Sequence, residues 1–181
     1  MELQRAALDR HHEWRTPVLA NVAHDAQGEP VPQARTVVLR HADAARQQLH
    51  LFTDRRSPKA LQLAGHPNAS LVFWSKRLSW QLRVQARVEV LTEGGLVQEA
   101  WQRVGQSAAA ADYLAANAPG ALLQDAPDGP DTAGPPGAVL SRPHHLSVLV
   151  LQAQEMDWLE LGRAGHRRAS FGPLGWSWRV P

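Results

Sequence analysis

The sequence contains no cysteine at all. Disulfide bonds, thiolate metal ligands and a cysteine nucleophile are therefore excluded. It also lacks any apolar run near the roughly 20 residues that a membrane-spanning helix needs, so we expect no membrane partner. The first residues, MELQRAALDRHHEWR, are polar where a signal peptide would be apolar, which predicts a cytoplasmic protein.

Lysine is scarce, because Lys59 and Lys76 are the only lysines among 19 basic residues. The pI is about 9.7, but it rests on a formal surplus of only +2. Nucleic-acid binders usually show a clustered basic face, so we expect no nucleic-acid partner. The paired histidines at 11–12 and 144–145 lack further ligands at metal-binding spacing, and we expect no metal site.

The chain has the pattern of a β-rich protein with a few peripheral helices, in a single domain spanning 1–181. The antiparallel strands predict a closed or nearly closed barrel. A Gly-rich nucleotide fingerprint is missing, which argues against a doubly wound fold. Strands are predicted at 17–23, 34–41, 48–53, 69–74, 79–91, 146–152, 156–161 and within 171–181. Helices are predicted at 1–14, 57–64 and 95–116, the last broken at Gly105, and 117–143 is predicted to be a long loop that could be disordered.

Two segments carry stronger signals than the rest. From Leu82 to Val90, apolar side chains alternate with polar ones, which predicts a strand with one wet or ligand-facing side. The segment SPKALQLAGHP has Ser57 at the N-cap position, proline next, and Gly65 and Pro67 at its end, which is typical of a short capped helix.

The segment RTVVLR, at 35–40, places an arginine at each end of an apolar run. Read as one strand, it puts Arg35 and Arg40 on opposite faces, so each needs its own partner. From the strand alone, the favoured interpretation is that both arginines reach out to water.

Lys59 lies in the first turn of the predicted helix, where a cation is unfavourable. An anion such as a phosphate, bound by the free amides of the helix start, would offset it. A solvent-exposed lysine on a surface helix explains the sequence equally well, and both interpretations stay open at this point.

The motif order RTVVLR, LFTDRRSPKALQL, HPNASLVFW, WQLRVQARVEVL and MDWLELGRAGHRRASF resembles the pyridoxamine 5′-phosphate oxidase family. The resemblance covers about Arg35 to Leu91 and resumes near the C-terminus. It implies an FMN-binding split β-barrel that acts as a homodimer, with the flavin at the subunit interface and a small-molecule substrate.

The resemblance also implies a set of flavin contacts. Arg35 and Lys59 would hold the FMN phosphate, with Ser57 nearby, and the strand segment Thr36, Val37, Val38 and Leu39 would line the flavin. The remaining implied contacts are Phe52, Thr53, Gln81, Trp158 and Arg168, together with the pair Gln106 and Ser107, which resembles a flavin-contacting Gln-Ser pair.

The substrate side departs from the family pattern. Arg40 stands where a lysine is usual, and Ala164-Gly165-His166 keeps the histidine of an Arg-x-His motif without its arginine. Arg40 and His166 are the implied substrate contacts, whereas no catalytic residue is assigned. The resemblance favours an FMN-dependent oxidoreductase of unknown substrate with weak or absent pyridoxamine 5′-phosphate oxidase activity. A non-catalytic flavin binder or sensor, or a barrel that holds haem or a deazaflavin, is the alternative.

Overall fold

The structure, a computed structural model, describes residues 1–122 and 139–181. Within these residues, nine strands form one sheet, and short helices pack around it. The strands are β1 (Val18–His24), β2 (Pro30–Thr36), β3 (Leu39–Asp43), β4 (Gln48–Asp54), β5 (Asn68–Ser75), β6 (Trp80–Leu91), β7 (Leu146–Glu160), β8 (Arg167–Gly172) and β9 (Gly175–Arg179). The helices are α1 (Glu2–Leu8), α2 (Pro58–Gly65), α3 (Gly95–Val104) and α4 (Ala111–Leu114), with 3₁₀ turns at Glu13–Arg15 and Ala108–Ala110.

The connectivity makes the sheet curl into a barrel. Its strand order is β2-β1-β5-β6-β7-β4-β3, so β2 and β3 stand at opposite ends of the row. These two strands are nevertheless joined by only Val37 and Val38. So short a connection spans roughly 10 Å, which forces the two ends of the sheet together. Within the described residues no ladder joins β2 to β3, so the barrel stays open on that side, consistent with a split barrel.

The long strand β7 is the branch point of the sheet. Its first half, from Leu146 to Gln152, pairs with β4, and its second half, from Met156 to Glu160, pairs with β8. Its other edge pairs with β6 over nearly its whole length. The β8–β9 hairpin therefore projects from the barrel as a separate arm.

Two apolar clusters hold these layers together. The first fills the barrel and includes the fully buried Leu19, Leu39, Leu71 and Phe73, with Leu63 of α2 packed into it. The second lies between α3 and the outer side of β4 and β7 and is centred on Trp101. Burying side chains of this size supplies roughly 1.5–3 kcal/mol each, so these clusters provide most of the driving force for folding.

The mainly-β fold with few helices is confirmed, and so are the alternation of β6 and the β3–β4 hairpin. The expected strand over 34–41 is wrong, because the chain leaves β2 at Thr36 and begins β3 at Leu39 on the other end of the sheet. The expected pair of strands at 146–152 and 156–161 is also wrong. It is the single strand β7, in which Gln154 is left without a partner on β6 and forms a bulge.

The expected helix over 1–14 ends at Leu8 instead. The carboxylate of Asp9 accepts a hydrogen bond from the amide of His11 at 2.9 Å, which favours a turn over another helical residue. The closing strand expected within 171–181 is a hairpin arm, with Phe171 in β8 and a turn before β9.

Of the loop predicted at 117–143, residues 123–138 lie outside the described part of the chain. Among the described residues, none of the helices has the length and apolar character to cross a membrane.

Candidate flavin site

Arg35 and Lys59 form a pair of neighbouring positive charges. Arg35 lies on the inner side of β2, beside Leu19 of β1, and Lys59 lies in the first turn of α2. Burial lowers the pKa of Lys59, and the positive charge of Arg35 lowers it further, while Asp54 opposes the shift. Burial also lowers the pKa of Arg35. Both side chains are half-buried, and repulsion from Arg35 is the second cause, after burial, of the lowered pKa of Lys59.

Among residues 1–122 and 139–181, no acidic side chain forms an ion pair with either cation. Asp54, whose charge acts on Lys59, is already bonded to Arg56, with Oδ2 at 2.7 Å from Nη2 and Oδ1 at 3.1 Å from Nε. Across residues 1–122 and 139–181, the Lys59 amine makes no hydrogen bond and no ion pair. The arrangement therefore suits an anion from outside the chain.

The start of α2 is built as its sequence predicts. The Ser57 hydroxyl accepts a hydrogen bond from the amide of Ala60 at 3.4 Å, and Pro58 occupies the first helical position. Thr53 and Ser57 are both buried, and their hydroxyl oxygens lie 3.1 Å apart. These two side chains fix the turn between β4 and α2, and so they set the direction in which Lys59 leaves the helix.

The segment between the two arginines of RTVVLR turns most of its side chains inward. Leu39 is fully buried, Val37 is buried and Val38 is half-buried, whereas Thr36 is exposed. The Val37 amide donates to the carbonyl of Pro17 at 2.9 Å. Of these four side chains, Thr36 is the one that a bound molecule can reach most easily.

Gln81 and Arg168 lie in one row across the outer face of the sheet. Trp74 pairs with Gln81, Gln81 with Leu159, and Leu159 with Arg168. Directly paired residues of antiparallel strands share a face, and two strand spacings separate Gln81 from Arg168, or about 10 Å.

Arg168 already has a partner within the chain. Its Nη2 lies 2.7 Å and its Nε 3.1 Å from the carboxylate oxygens of Asp157, which also accepts from Arg83. The hydrogen bond from Arg168 holds the pKa of Asp157 below its ordinary value. Sequence reasoning missed Asp157, although it precedes the selected Trp158 directly.

Trp158 lies on the opposite face of the same strands. It pairs with Ala169 and packs edge-on against Trp80, with ring centroids 5.4 Å apart. Trp158 and Arg168 therefore cannot line one pocket of a single chain from the same side.

Arg40 is placed apart from Arg35. Its guanidinium carbon lies 5.6 Å from the centre of the Phe52 ring, on the side of β3 and β4 that faces α4. Burial raises the pKa of Tyr113 in α4, and the positive charge of Arg40 partly opposes that rise. The expectation that the two arginines meet different partners agrees with this placement, although they belong to two strands and not to two faces of one.

Three further contacts implied by the family resemblance, Gln106, Ser107 and His166, lie at the surface. Gln106 and Ser107 are exposed in the turn after α3, where the Ser107 hydroxyl donates to the Val104 carbonyl at 2.8 Å. His166 is exposed in the connection between β7 and β8. No contact among the described residues joins His166 to Arg40, since the two lie beside opposite halves of β7.

Comparison with known proteins identifies the family. Residues 2–92, half of the chain, match the family model described as pyridoxamine 5′-phosphate oxidase, FMN-binding domain. The chain belongs to the pyridoxamine 5′-phosphate oxidase family. FMN is therefore the cofactor that this domain binds. The matched residues include both cations of the Arg35–Lys59 pair.

Curated relatives in the family match a similar region. The pyridoxine/pyridoxamine 5′-phosphate oxidase of Microcystis aeruginosa is 34% identical over 91 residues, which are 50% of this chain and 40% of the relative. The enzyme of the same name from Thermosynechococcus vestitus is 40% identical over 62 residues, which are 34% of this chain and 28% of the relative. The alignments thus span less than half of each relative.

Two solved structures share the fold over nearly the whole chain. One is a pyridoxamine 5′-phosphate oxidase-related, FMN-binding protein of Nostoc punctiforme, with a TM-score of 0.68 and 20% identity, covering 99% of this chain and 93% of that one. The other is PhzG of Burkholderia lata, solved with tetrahydrophenazine-1-carboxylic acid, with a TM-score of 0.68 and 18% identity, covering 98% and 86%.

The residues of the site fit FMN on their own chemistry. A phosphate needs charge-assisted donors, and the Arg35–Lys59 pair offers two cations that have no ion pair with any carboxylate of the described residues. The flavin ring needs mostly apolar walls with a few directed hydrogen bonds, which the row of Trp74, Gln81 and Leu159 can supply.

Proposed function

We propose that the chain is an FMN-dependent oxidoreductase that acts as a homodimer on a small-molecule substrate. The observation that supports this most directly is the half-buried Lys59, whose pKa is lowered by burial and by the charge of Arg35 and whose amine has no hydrogen bond or ion pair among the described residues. Such a pair is costly in the empty protein and becomes favourable when an anion binds between the cations.

At the phosphate end, Arg35 and Lys59 would bind the FMN phosphate. Ser57 would hold the start of α2 in place, because its hydroxyl caps the helix. At the ring end, Gln81 and Arg168 would give directed hydrogen bonds, and Asp157 would keep the Arg168 guanidinium oriented. Bound FMN supplies two-electron redox chemistry, and the protein supplies its position and its electrostatic environment.

The two ends of the proposed site lie on different sides of the barrel wall. Arg35 faces inward beside the core residue Leu19, whereas Gln81 and Arg168 face outward. One flavin cannot reach both sides of a sheet in the same chain. A second copy whose outer face meets the phosphate end of the first would complete the site, which supports a flavin at the subunit interface.

The outer face of β1, β5 and β6 has the character of such an interface. It exposes Val18, Val22 and Trp74, and the Trp74 side chain, the largest of the three, keeps 46% of its surface accessible in the single chain. Exposed apolar groups gathered on one sheet face are typical of protein–protein contacts.

The substrate would lie on the side of Arg40, and His166 of a second copy could approach it. Because the arginine of the Arg-x-His pattern is replaced by Ala164, we expect weak turnover of pyridoxamine 5′-phosphate. The substrate is therefore a different small molecule in this proposal.

The test uses the protein as purified. Its visible absorption spectrum and the flavin released on denaturation identify the cofactor, and anaerobic mixing with NADH, NADPH or candidate substrates shows whether bound FMN is reduced. The proposal expects reduction by at least one donor followed by reoxidation in air. Stable FMN binding with no reduction by any donor in the screen would instead favour the non-catalytic flavin binder.

A further inference from the structure

Asn21 is a polar side chain at an apolar position. It lies on the inner face of β1, two residues after the fully buried Leu19, and only 6% of its surface is exposed. A buried amide is costly unless its hydrogen bonds are made, so the partners of Asn21 are part of what stabilises this position.

The Asn21 amide joins two elements of the phosphate site. Its Oδ1 accepts a hydrogen bond from Nη1 of Arg35 on β2. Its Nδ2 donates to Oε1 of Gln62 on α2 at 3.0 Å and to the carbonyl of Val22 at 3.2 Å. Arginine can only donate, so the oxygen of the amide must face Arg35, and the orientation of Asn21 is fixed by its neighbours.

Gln62 brings this chain of hydrogen bonds to the side of α2 that carries Lys59. The two residues are three positions apart on the helix, and residues at that spacing are neighbours on its surface. The two hydrogen bonds that link Arg35 to Asn21 and Asn21 to Gln62 therefore hold the Arg35 guanidinium against the face of α2 that carries Lys59.

We infer that Asn21 is a positioning residue of the FMN phosphate site, which holds Arg35 toward Lys59 without neutralising its charge. This inference rests on the proposed role of Arg35 and Lys59. A carboxylate in the same place would also bind Arg35, but it would form an ion pair and compete with the phosphate. A neutral amide fixes the arginine and leaves its full charge for the ligand.

Fixing Arg35 in advance lowers the entropy cost of binding. Immobilising one long side chain on association costs about two- to tenfold in affinity, which Asn21 removes when it orders Arg35 in the empty protein. The effect should appear only for ligands that carry the phosphate.

The experiment compares dissociation constants for FMN and for riboflavin, which has the same ring without the phosphate. We expect Asn21→Ala to weaken FMN binding about tenfold and to leave riboflavin binding within about twofold. We expect Asn21→Asp to weaken FMN binding further, by about 100-fold, although aspartate preserves the shape of the side chain and its bond to Arg35.

Gln27→Ala is the matched control, because it removes an amide side chain from an exposed position in the turn between β1 and β2. This control should leave the dissociation constants for FMN and for riboflavin unchanged. Gln62→Ala is a second variant, which removes the hydrogen-bond partner of Asn21 on α2 from a half-buried position, and it should lower FMN affinity severalfold. It keeps the test usable if an Asn21 variant fails to fold.

A role in the fold alone predicts a different pattern. It predicts that FMN and riboflavin weaken together and that Asn21→Asp does no more damage to FMN binding than Asn21→Ala, and either result would overturn the inference. Arg35→Met distinguishes an error in the phosphate site from an error in the role given to Asn21. If Arg35→Met leaves the FMN-to-riboflavin ratio unchanged, the phosphate site itself is misplaced and the inference falls with it. If Arg35→Met lowers the ratio and the Asn21 and Gln62 variants do not, the inference alone is wrong.

Discussion

Replacing Lys59 by methionine should separate ligand binding from stability. The Lys59 amine is half-buried beside Arg35 and has no acidic partner of its own among the described residues. Methionine keeps the unbranched shape of the side chain and removes only the charge. Hydrogen bonds to charged groups are worth about 1.5–3 kcal/mol, so FMN affinity should fall by about 10- to 150-fold.

The free energy of unfolding of the empty protein should not fall in the same variant. The substitution removes a half-buried charge and its repulsion from Arg35, so the free energy of unfolding should stay the same or rise. Fluorescence titration with FMN and with riboflavin measures the first effect, and urea denaturation without ligand measures the second. Unchanged FMN affinity, or an equal loss for both flavins, would refute the assignment of Lys59 to the phosphate.

The charge of Lys59, the proposed interface and the barrel core each give a further test. FMN affinity should fall as the pH rises toward 10.5, the ordinary pKa of lysine, because Lys59 with its lowered pKa loses its charge below that pH. The empty protein should gain stability over the same range, because the unfolded chain then binds one proton more than the folded chain. A pH titration of FMN binding to Lys59→Arg should show no such fall in affinity. Trp74→Glu should shift the protein from dimer to monomer in analytical ultracentrifugation and lower FMN affinity, whereas a monomeric wild-type protein would contradict the proposed interface. Phe73→Ala should lower the free energy of unfolding by about 3–5 kcal/mol in urea denaturation, since Phe73 is fully buried in the barrel, and a loss below about 1 kcal/mol would contradict that packing.

Local rules predicted the parts of the fold whose signals lie within a few residues. The helix α2 follows from Ser57, Pro58 and Gly65, because caps and breakers act on the backbone directly beside them. The strand β6 follows from its alternation, because one side faces the core and the other does not.

The break inside RTVVLR could not be predicted in this way. Val37 and Val38 are β-branched and favour extended backbone, and no glycine or proline marks the end of β2. The break arises because the barrel must curl until its two end strands meet, which is a property of the whole sheet. The bulge at Gln154 is likewise set by pairing with β6, so the polar residues around it looked like a loop in the sequence.

In the candidate site, too, some features could be predicted from the sequence and others arise only from the fold. The family resemblance, with its nearly gap-free spacing, predicted that Arg35 and Lys59 share one phosphate, and this shared binding stays a prediction. In the structure, burial lowers the pKa of Lys59 and the charge of Arg35 lowers it further. The hydrogen bond from Arg35 to Asn21 could not be predicted from the sequence, because Asn21 lies 14 residues away on another strand and no sequence motif marks it. Only the register of β1 against β2 places the two side chains together.

Subunit complementation tests the central claim, a flavin site shared between two copies, most directly. Lys59→Met and Arg168→Met each damage one end of the site, and a refolded one-to-one mixture forms mixed dimers. If the two residues come from different copies, each mixed dimer has one intact site, so about a quarter of all sites should bind FMN with wild-type affinity. If both residues serve the same site from one chain, the mixture should bind no better than the separate variants, and that result would contradict the account.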